Sequence, residues 1–258
     1  MTEIRLTSRD RIAEIILDGP ESRNALDADD LRDIAAAVAK VAEAIPTVRA
    51  LLIRAEGKVF SSGRDISAVD VDTDDAHAFL AEIFTPVFNA IRALPIPVIA
   101  QVQGAALGLG FGIAAAADII YAADNAKFGS PFAAIGAMLD SGAHHVFLDR
   151  LGYHRTMDLI ITGDFMTGAE AAAAGIVSRA VPAEDLSEFV EAKLAKIVSG
   201  PAEAFAMEKG FVQELADERP TLGQVLAKEA DLQETARQTP DYAEGFKAFQ
   251  ERRTPNFG

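Results

Sequence analysis

Residues 97–142 read PVIAQVQGAALGLGFGIAAAADIIYAADNAKFGSPFAAIGAMLDSG. The apolar run 97–102 predicts a buried strand, which Gln103 and Gly104 break. The glycine-rich turn 107–112 (LGLGFG) opens a run of small residues, 113–117, that predicts a buried helix, and 118–122 (DIIYA) predicts the next strand. The stretch ends in an acidic residue, Asp140, just before Ser141 and Gly142. A glycine-rich turn therefore sits at a helix N-terminus, with a carboxylate about one supersecondary unit downstream. Unpaired N–H groups and the macrodipole make such a terminus a place to hold a phosphate or an oxyanion.

Strand and helix signals continue on both sides. Residues 3–7 and 12–17 flank the charged turn 8–11 and predict a β-hairpin. Asp27 reads as the N-cap of an amphipathic helix that Pro46 stops. A short strand is expected at 50–54, a polar loop at 58–65 (KVFSSGRD), an acidic, mobile loop at 70–75 and a second amphipathic helix over 79–91. Beyond Gly142, helices are expected over 143–151, 154–162 and 167–174, and a strand over 176–181. From Leu186 onward everything reads as helix. The pattern fits α/β architecture built of stacked ββα units, residues 1–195, followed by an all-helical region, 196–258.

Composition narrows the function. The 258 residues carry a formal net charge of −15, which argues against nucleic acid or an anionic membrane as a partner. The chain has no cysteine, so disulfides, thiolate metal sites and a cysteine nucleophile are excluded. No metal-ligand spacing is visible. No apolar run is long enough to span a bilayer, and the charged N-terminus does not read as a signal peptide, so a soluble cytoplasmic protein is expected.

Four segments together resemble the crotonase (enoyl-CoA hydratase/isomerase) superfamily: 22–26 (SRNAL), 60–66 (FSSGRDI), 103–122 (QGAALGLGFGIAAAADIIYA), and 244–249 (EGFKAF) with Arg252 and Arg253. They span essentially the whole chain in the right order. The resemblance implies a crotonase-like spiral of ββα units with a C-terminal α-helical region that supports trimers or dimers of trimers. It also implies acyl-CoA thioester substrates with no further cofactor. It places an oxyanion hole at the backbone N–H groups of Arg64 and Leu109, and CoA contacts at Ser22, Arg23, Ser62, Asp65 and Ile66. Arg23 and Arg252 read either as partners of CoA phosphates or as solvated surface charges.

The chain departs from the family at the chemistry. Hydratases of the family place two glutamates over the reacting carbons, at positions that here are Gly112 and Phe132. Neither residue transfers a proton. Asp140 matches the acidic residue of several family isomerases, and one carboxylate can take a proton from one carbon and return it to another. The same Asp-Ser-Gly also reads as a helix N-cap, which would lower the pKa of Asp140. His144 and His145 follow. Asp140 with His144 on one helix face would suggest a hydrolase or lyase, and surface histidines are the plainer reading. Phe128, Phe132 and Met138 read as core or as acyl-pocket lining. The functions in contention are an enoyl-CoA isomerase acting through Asp140, a hydratase-like, hydrolytic or lyase activity, and a catalytically silent acyl-CoA-binding protein. A dinucleotide-binding oxidoreductase is disfavoured, because 108–112 (GLGFG) has the wrong spacing for it.

Overall fold

A computed structural model describes residues 2–67, 69–129 and 131–258. Strands β1 (Glu3–Arg9) and β2 (Ile12–Asp18) form the expected hairpin. Its two turn residues, Asp10 and Arg11, both have positive φ (48° and 68°), the backbone that matches the twist of the flanking strands. Helix α1 (Ala28–Glu43) starts with a reciprocal cap: Asp27 accepts from the N–H groups of Asp29 and Asp30, and Asp30 accepts from that of Asp27. Strand β3 (Ala50–Ala55) runs parallel to β2.

The second amphipathic segment is α2 (Ala76–Ala78), a wider π turn (Phe79–Phe84) and α3 (Thr85–Ala93). Strands β4 (Val98–Val102) and β5 (Ala105–Leu107) then lead into α4 (Leu109–Ala116), and β6 (Ile119–Ala123) and β7 (Lys127–Gly129) lead into α5 (Ala143–Thr162). Gly152, at φ 73°, breaks α5 where the sequence predicts two helices. Strand β8 (Phe165–Thr167), helix α6 (Gly168–Ala173) and strand β9 (Arg179–Val181) complete the mixed region.

The strands form two sheets. One has the order β1-β2-β3-β4-β6-β9, parallel apart from β1; the other has the order β5-β7-β8. The chain steps from the large sheet to the small one at Gln103-Gly104 and again between β6 and β7, and a helix follows each step. This is the ββα repetition the sequence implied. The short strands β5, β7 and β8 went unread, because three residues carry no periodicity of their own and depend on their neighbours for pairing. Fully buried Phe111, Phe128 and Phe147 pack together beneath α4, so Phe128 belongs to the core and not to a pocket.

The C-terminal helices are α7 (Leu186–Val198), α8 (Ala202–Glu218), α9 (Leu222–Arg237) and α10 (Pro240–Glu251). Buried Leu186, Val190 and Leu194 join α7 to the main core, so the division drawn at 195/196 falls inside that helix. The change of packing comes at Gly200-Pro201. Beyond it, Lys209 reaches back from α8 with its side chain 8 % exposed. Its Nζ lies 2.8 Å from Asp118 Oδ2 and donates to the Ile96 carbonyl at 3.2 Å. Asp118 also accepts from the Val98 N–H at 2.8 Å, so one carboxylate joins the two central strands to α8. Among the described residues, no helix is long and apolar enough to cross a membrane.

Removing one member of this shielded pair leaves the other charge unpaired. Lys209→Ala is expected to cost about 3 kcal/mol of stability, read as a lower urea midpoint. The double variant Lys209→Ala with Asp118→Asn, which keeps the bond from Val98, should recover part of that loss.

Candidate active site

Two backbone turns meet above the small sheet. Ser61 pairs with Ala106: its N–H donates to the Ala105 carbonyl and its own carbonyl accepts from Leu107, both at 3.0 Å. One turn further, Leu26 donates to the Gly63 carbonyl at 2.9 Å and accepts from Asp65 at 2.9 Å. The N–H of Arg64, between those two bonds, faces the other way. Leu109 is the first residue of α4. Among the described residues, neither the Arg64 nor the Leu109 N–H has an acceptor. The backbone of both turns needs glycine, with φ 98° at Gly63 and 52° at Gly108. The turns are in contact: a Cβ at Gly63 would lie 2.8 Å from the Leu107 carbonyl oxygen and 3.5 Å from the Leu109 nitrogen. Two free donors on adjoining, packed turns, one of them at a helix N-terminus, can hold an anionic oxygen.

A cavity of about 650 Å³ opens beside them. Arg64, Leu109, Phe132 and Asp140 line it, and Phe79, Leu80, Ile135, Met138 and Leu139 make much of the remaining wall apolar. It holds two carboxylates, Asp74 and Asp140. Asp74 is occupied: Arg64 donates to both of its oxygens, at 3.0 and 2.5 Å, and the guanidinium lies 4.0 Å over the Phe79 ring. The 70–75 segment is thus a hydrogen-bonded turn latched to the site. The Thr73 and Asp74 N–H groups donate to the Asp70 carbonyl, and Asp75 caps α2.

Asp140 is not a helix cap. The residue preceding α5 is Gly142, and no side chain caps that end. The Asp140 carboxylate instead accepts from the Ser141 hydroxyl at 2.5 Å. Burial pushes the Asp140 carboxyl above the ordinary carboxylate range, against smaller lowering by Ser141, Arg64 and His144. This is the reverse of what a cap would do. Ser141 is itself buried, with φ 59°, an uncommon backbone for a residue with a side chain. His144 is exposed, lies outside the cavity and makes no hydrogen bond to Asp140 among the described residues. His145 faces a different cavity.

Gly112 lies in α4 against this turn. A Cβ there would sit 2.7 Å from the Phe84 ring and 2.7 Å from Ser141 Cβ, so the space for a side chain is already filled. Phe132 lines the cavity and covers the Gly108 turn.

A second groove, of about 400 Å³, collects Ser22, Arg23, Ser62, Asp65 and Ile66, and shares Arg64 and Ile66 with the first. The Asp65 carboxylate is engaged locally at the surface, accepting from the N–H and hydroxyl of Ser67. Arg252 is exposed at the end of α10 and lines neither cavity of this chain. The residue that sequence reasoning missed is Asn24. Fully buried at φ 52°, it donates to the Glu56 and Val59 carbonyls at 2.9 and 2.7 Å and accepts from Gly19 at 2.7 Å. Its own carbonyl accepts from the Ser61 hydroxyl at 2.7 Å, joining the groove loop to the donor turn. An asparagine between loop residues was its only signal.

Layered ββα units bearing two unpaired backbone donors on adjoining turns and a half-buried carboxylate form a class of site suited to an anionic oxygen. The family profile described as Enoyl-CoA hydratase/isomerase matches residues 7–258, and the chain belongs to that family of enzymes. A relative from Rhodobacter capsulatus described as a probable enoyl-CoA hydratase is 35 % identical over 98 % of this chain and 97 % of its own. A trans-2-decenoyl-[acyl-carrier-protein] isomerase from Streptococcus mutans is 30 % identical over 95 % of this chain and 94 % of its own. The crystal structure of a putative enoyl-CoA hydratase/isomerase from Mycobacterium abscessus superposes with a TM-score of 0.91 at 30 % identity, covering 99 % of both chains.

Two outcomes test this geometry. Alanine is the better helix former by about 1 kcal/mol, yet overpacking at Gly112 should dominate. Gly112→Ala is therefore expected to lose about 1–3 kcal/mol in chemical denaturation. The raised pKa of Asp140 means that folding favours its protonated form. Its ionisation therefore weakens the fold as pH rises through and above the carboxylate range. Asp140→Asn should have a higher urea midpoint than the parent at pH 7, and that difference should close as pH falls below the ordinary carboxylate value.

Proposed function

We propose that this chain is an acyl-CoA enzyme that moves the double bond of an enoyl thioester, with the Arg64 and Leu109 N–H groups as oxyanion hole and Asp140 as the single base. The observation that carries the reading is Asp140 itself: among the described residues it is the one carboxylate of the cavity not committed to an arginine, and burial raises its proton affinity. A carboxylate whose pKa is raised is a stronger base for taking the proton, and its carboxylic acid still returns it to the far more basic carbon of a dienolate.

The thioester carbonyl oxygen lies on the two N–H groups, with the acyl chain passing Asp140. Asp140 takes a proton from the γ-carbon of a 2-enoyl group. The electrons shift through the double bond to the carbonyl oxygen, giving a dienolate held by the two donors. The protonated Asp140 returns the proton to the α-carbon, which leaves a 3-enoyl thioester and a regenerated carboxylate. The reverse path uses the same groups. Losing one such donor in an enzyme typically costs about 3–4 kcal/mol of transition-state stabilisation. Here both donors are backbone, so the function does not depend on the side chains at 64 and 109.

The second reading is hydration, favoured by the description of relatives such as the Rhodobacter capsulatus protein. Adding water requires a group to hold and deprotonate it and an acid to protonate the α-carbon. With Asp74 bound to Arg64 and no carboxylate at Gly112 or Phe132, Asp140 would have to do both.

The test is mass spectrometry of 2-enoyl- and 3-enoyl-CoA incubated with the protein in deuterated water. A positional isomer carrying exchanged deuterium, reduced at least 100-fold in Asp140→Asn, is the expected result. Net addition of water would overturn the isomerase in favour of hydration. Release of free CoA would replace it with a hydrolase, and binding with no exchange would leave a silent acyl-CoA protein.

A further inference from the structure

The wall of the acyl cavity is not confined to its buried part. Four large apolar side chains that line it are also open to solvent: Val71 is 86 % exposed, Met138 76 %, Ile135 57 % and Ile66 52 %. They come from two segments, 66–71, whose ends are tied by the Arg64–Asp74 pair, and 135–138, and form an apolar rim continuous with the space that holds the Leu109 N–H and Asp140. Apolar groups gathered around one opening mark a place where apolar surface is covered during function.

We propose that the acyl group taken by this site is a long apolar chain, of about eight carbons or more, whose distal half lies along the rim of Ile66, Val71, Ile135 and Met138. The proposal rests on the reading of this cavity as the acyl site. Size argues for it. At roughly the 30 Å³ that one water takes in the liquid for each carbon, a four-carbon acyl group fills about 120 Å³ of the 650 Å³ available. A short chain leaves the rim wet. A long one covers it. Charge narrows the class further. Asp70 and Asp72 are exposed on the same segment as Val71, so a terminal carboxylate at the far end of the chain would meet like charge. The occupant is an unsubstituted hydrocarbon chain, not a dicarboxylic one.

The Arg64–Asp74 pair gives the rim its shape. Asp74 anchors the segment that carries Val71, and the guanidinium stacked on Phe79 forms the boundary between the acyl cavity and the groove that ends at Ser22 and Arg23.

The test uses saturated acyl-CoAs, which cannot isomerise, so it reads the cavity independently of Asp140. Isothermal titration would compare butyryl-, octanoyl- and dodecanoyl-CoA, below their micelle-forming concentrations, with a dodecanoyl analogue ending in a carboxylate. Complete burial is worth roughly fourfold in Kd per methylene. Half-burial along an open rim should give about twofold for each of the eight additional methylenes, so dodecanoyl-CoA should bind about 250-fold more tightly than butyryl-CoA. Val71→Glu and Met138→Glu should each shrink that ratio at least fivefold, and the terminal carboxylate should do the same to the parent protein. Equal affinity across the series overturns the proposal even if isomerisation is found. Rim variants that keep the full ratio but change the mass of the assembly in solution also overturn it, and assign the rim to a contact between copies of the chain. A steep series with no isomerisation would leave the proposal standing and remove the isomerase reading alone.

Discussion

The backbone pairing of Ser61 with Ala106 is the contact on which the site depends. It brings the loop after β3 onto the strand before α4, and α4 can follow only because Gly110 offers no side chain. A Cβ there would lie 2.6 Å from Ser61 Cβ and 2.7 Å from its carbonyl oxygen. The N-terminus of α4 and the Arg64 turn are thus parts of one packed backbone. Asn24 extends this unit to the groove loop with three hydrogen bonds from its side chain. Donors fixed in this way do not have to reorganise when charge develops on a bound oxygen, which is the condition for electrostatic stabilisation to be large.

Asp140 is held by the opposite strategy. It sits on an irregular segment after the short turn Pro131–Ile135, followed by Ser141 and Gly142 at positive φ. Burial disfavours its charge, and the Ser141 hydroxyl at 2.5 Å supports it. The site therefore joins a rigid, uncharged part to a strained, partly desolvated one. Strain of this kind persists where surrounding packing overrides it, and here Gly112 and Phe84 hold Ser141 in place. The distant ion pair of Lys209 with Asp118 helps to hold β4, and with it the strand that leads into the donor turn.

Much of the fold was legible because its long elements carry strong periodic signals. The capped helix after Asp27 and the central strand before Gln103 lie where spacing, caps and breakers put them; the helix of the glycine-rich stretch starts at Leu109, four residues before the 113–117 run that announced it. The short strands were not legible, since β5, β7 and β8 exist through pairing that no local pattern records. At the site, the sequence pointed to the glycine turns, Arg64, Leu109 and Asp140, and the structure brings these around one cavity. It did not reveal that Asp74 is bound to Arg64, that Asp140 is half-buried in the cavity wall instead of capping a helix, or that Asn24 ties two loops together. Each of these is a contact between side chains or loops distant in sequence, and a list of residue types does not contain it. The apolar rim was hidden for the same reason: Val71 lay in a stretch whose acidic residues dominated its reading.

The glycine at 112 shows how packing and chemistry are joined. Read along the sequence, Gly112 is a position where a carboxylate is missing. In space it is a position where a carboxylate has no room, because Ser141 and Phe84 fill the volume its side chain would need. The side of the cavity next to α4 accommodates either a side chain from 112 or the turn that carries Asp140. A glutamate placed at 112 would have to push aside Ser141, and with it a hydroxyl that supports the Asp140 carboxylate. The single-carboxylate arrangement is thus a packed alternative, and not a two-carboxylate site with its members simply deleted. That packing supports the role proposed for Asp140, with one carboxylate shuttling a proton between two carbons of one substrate.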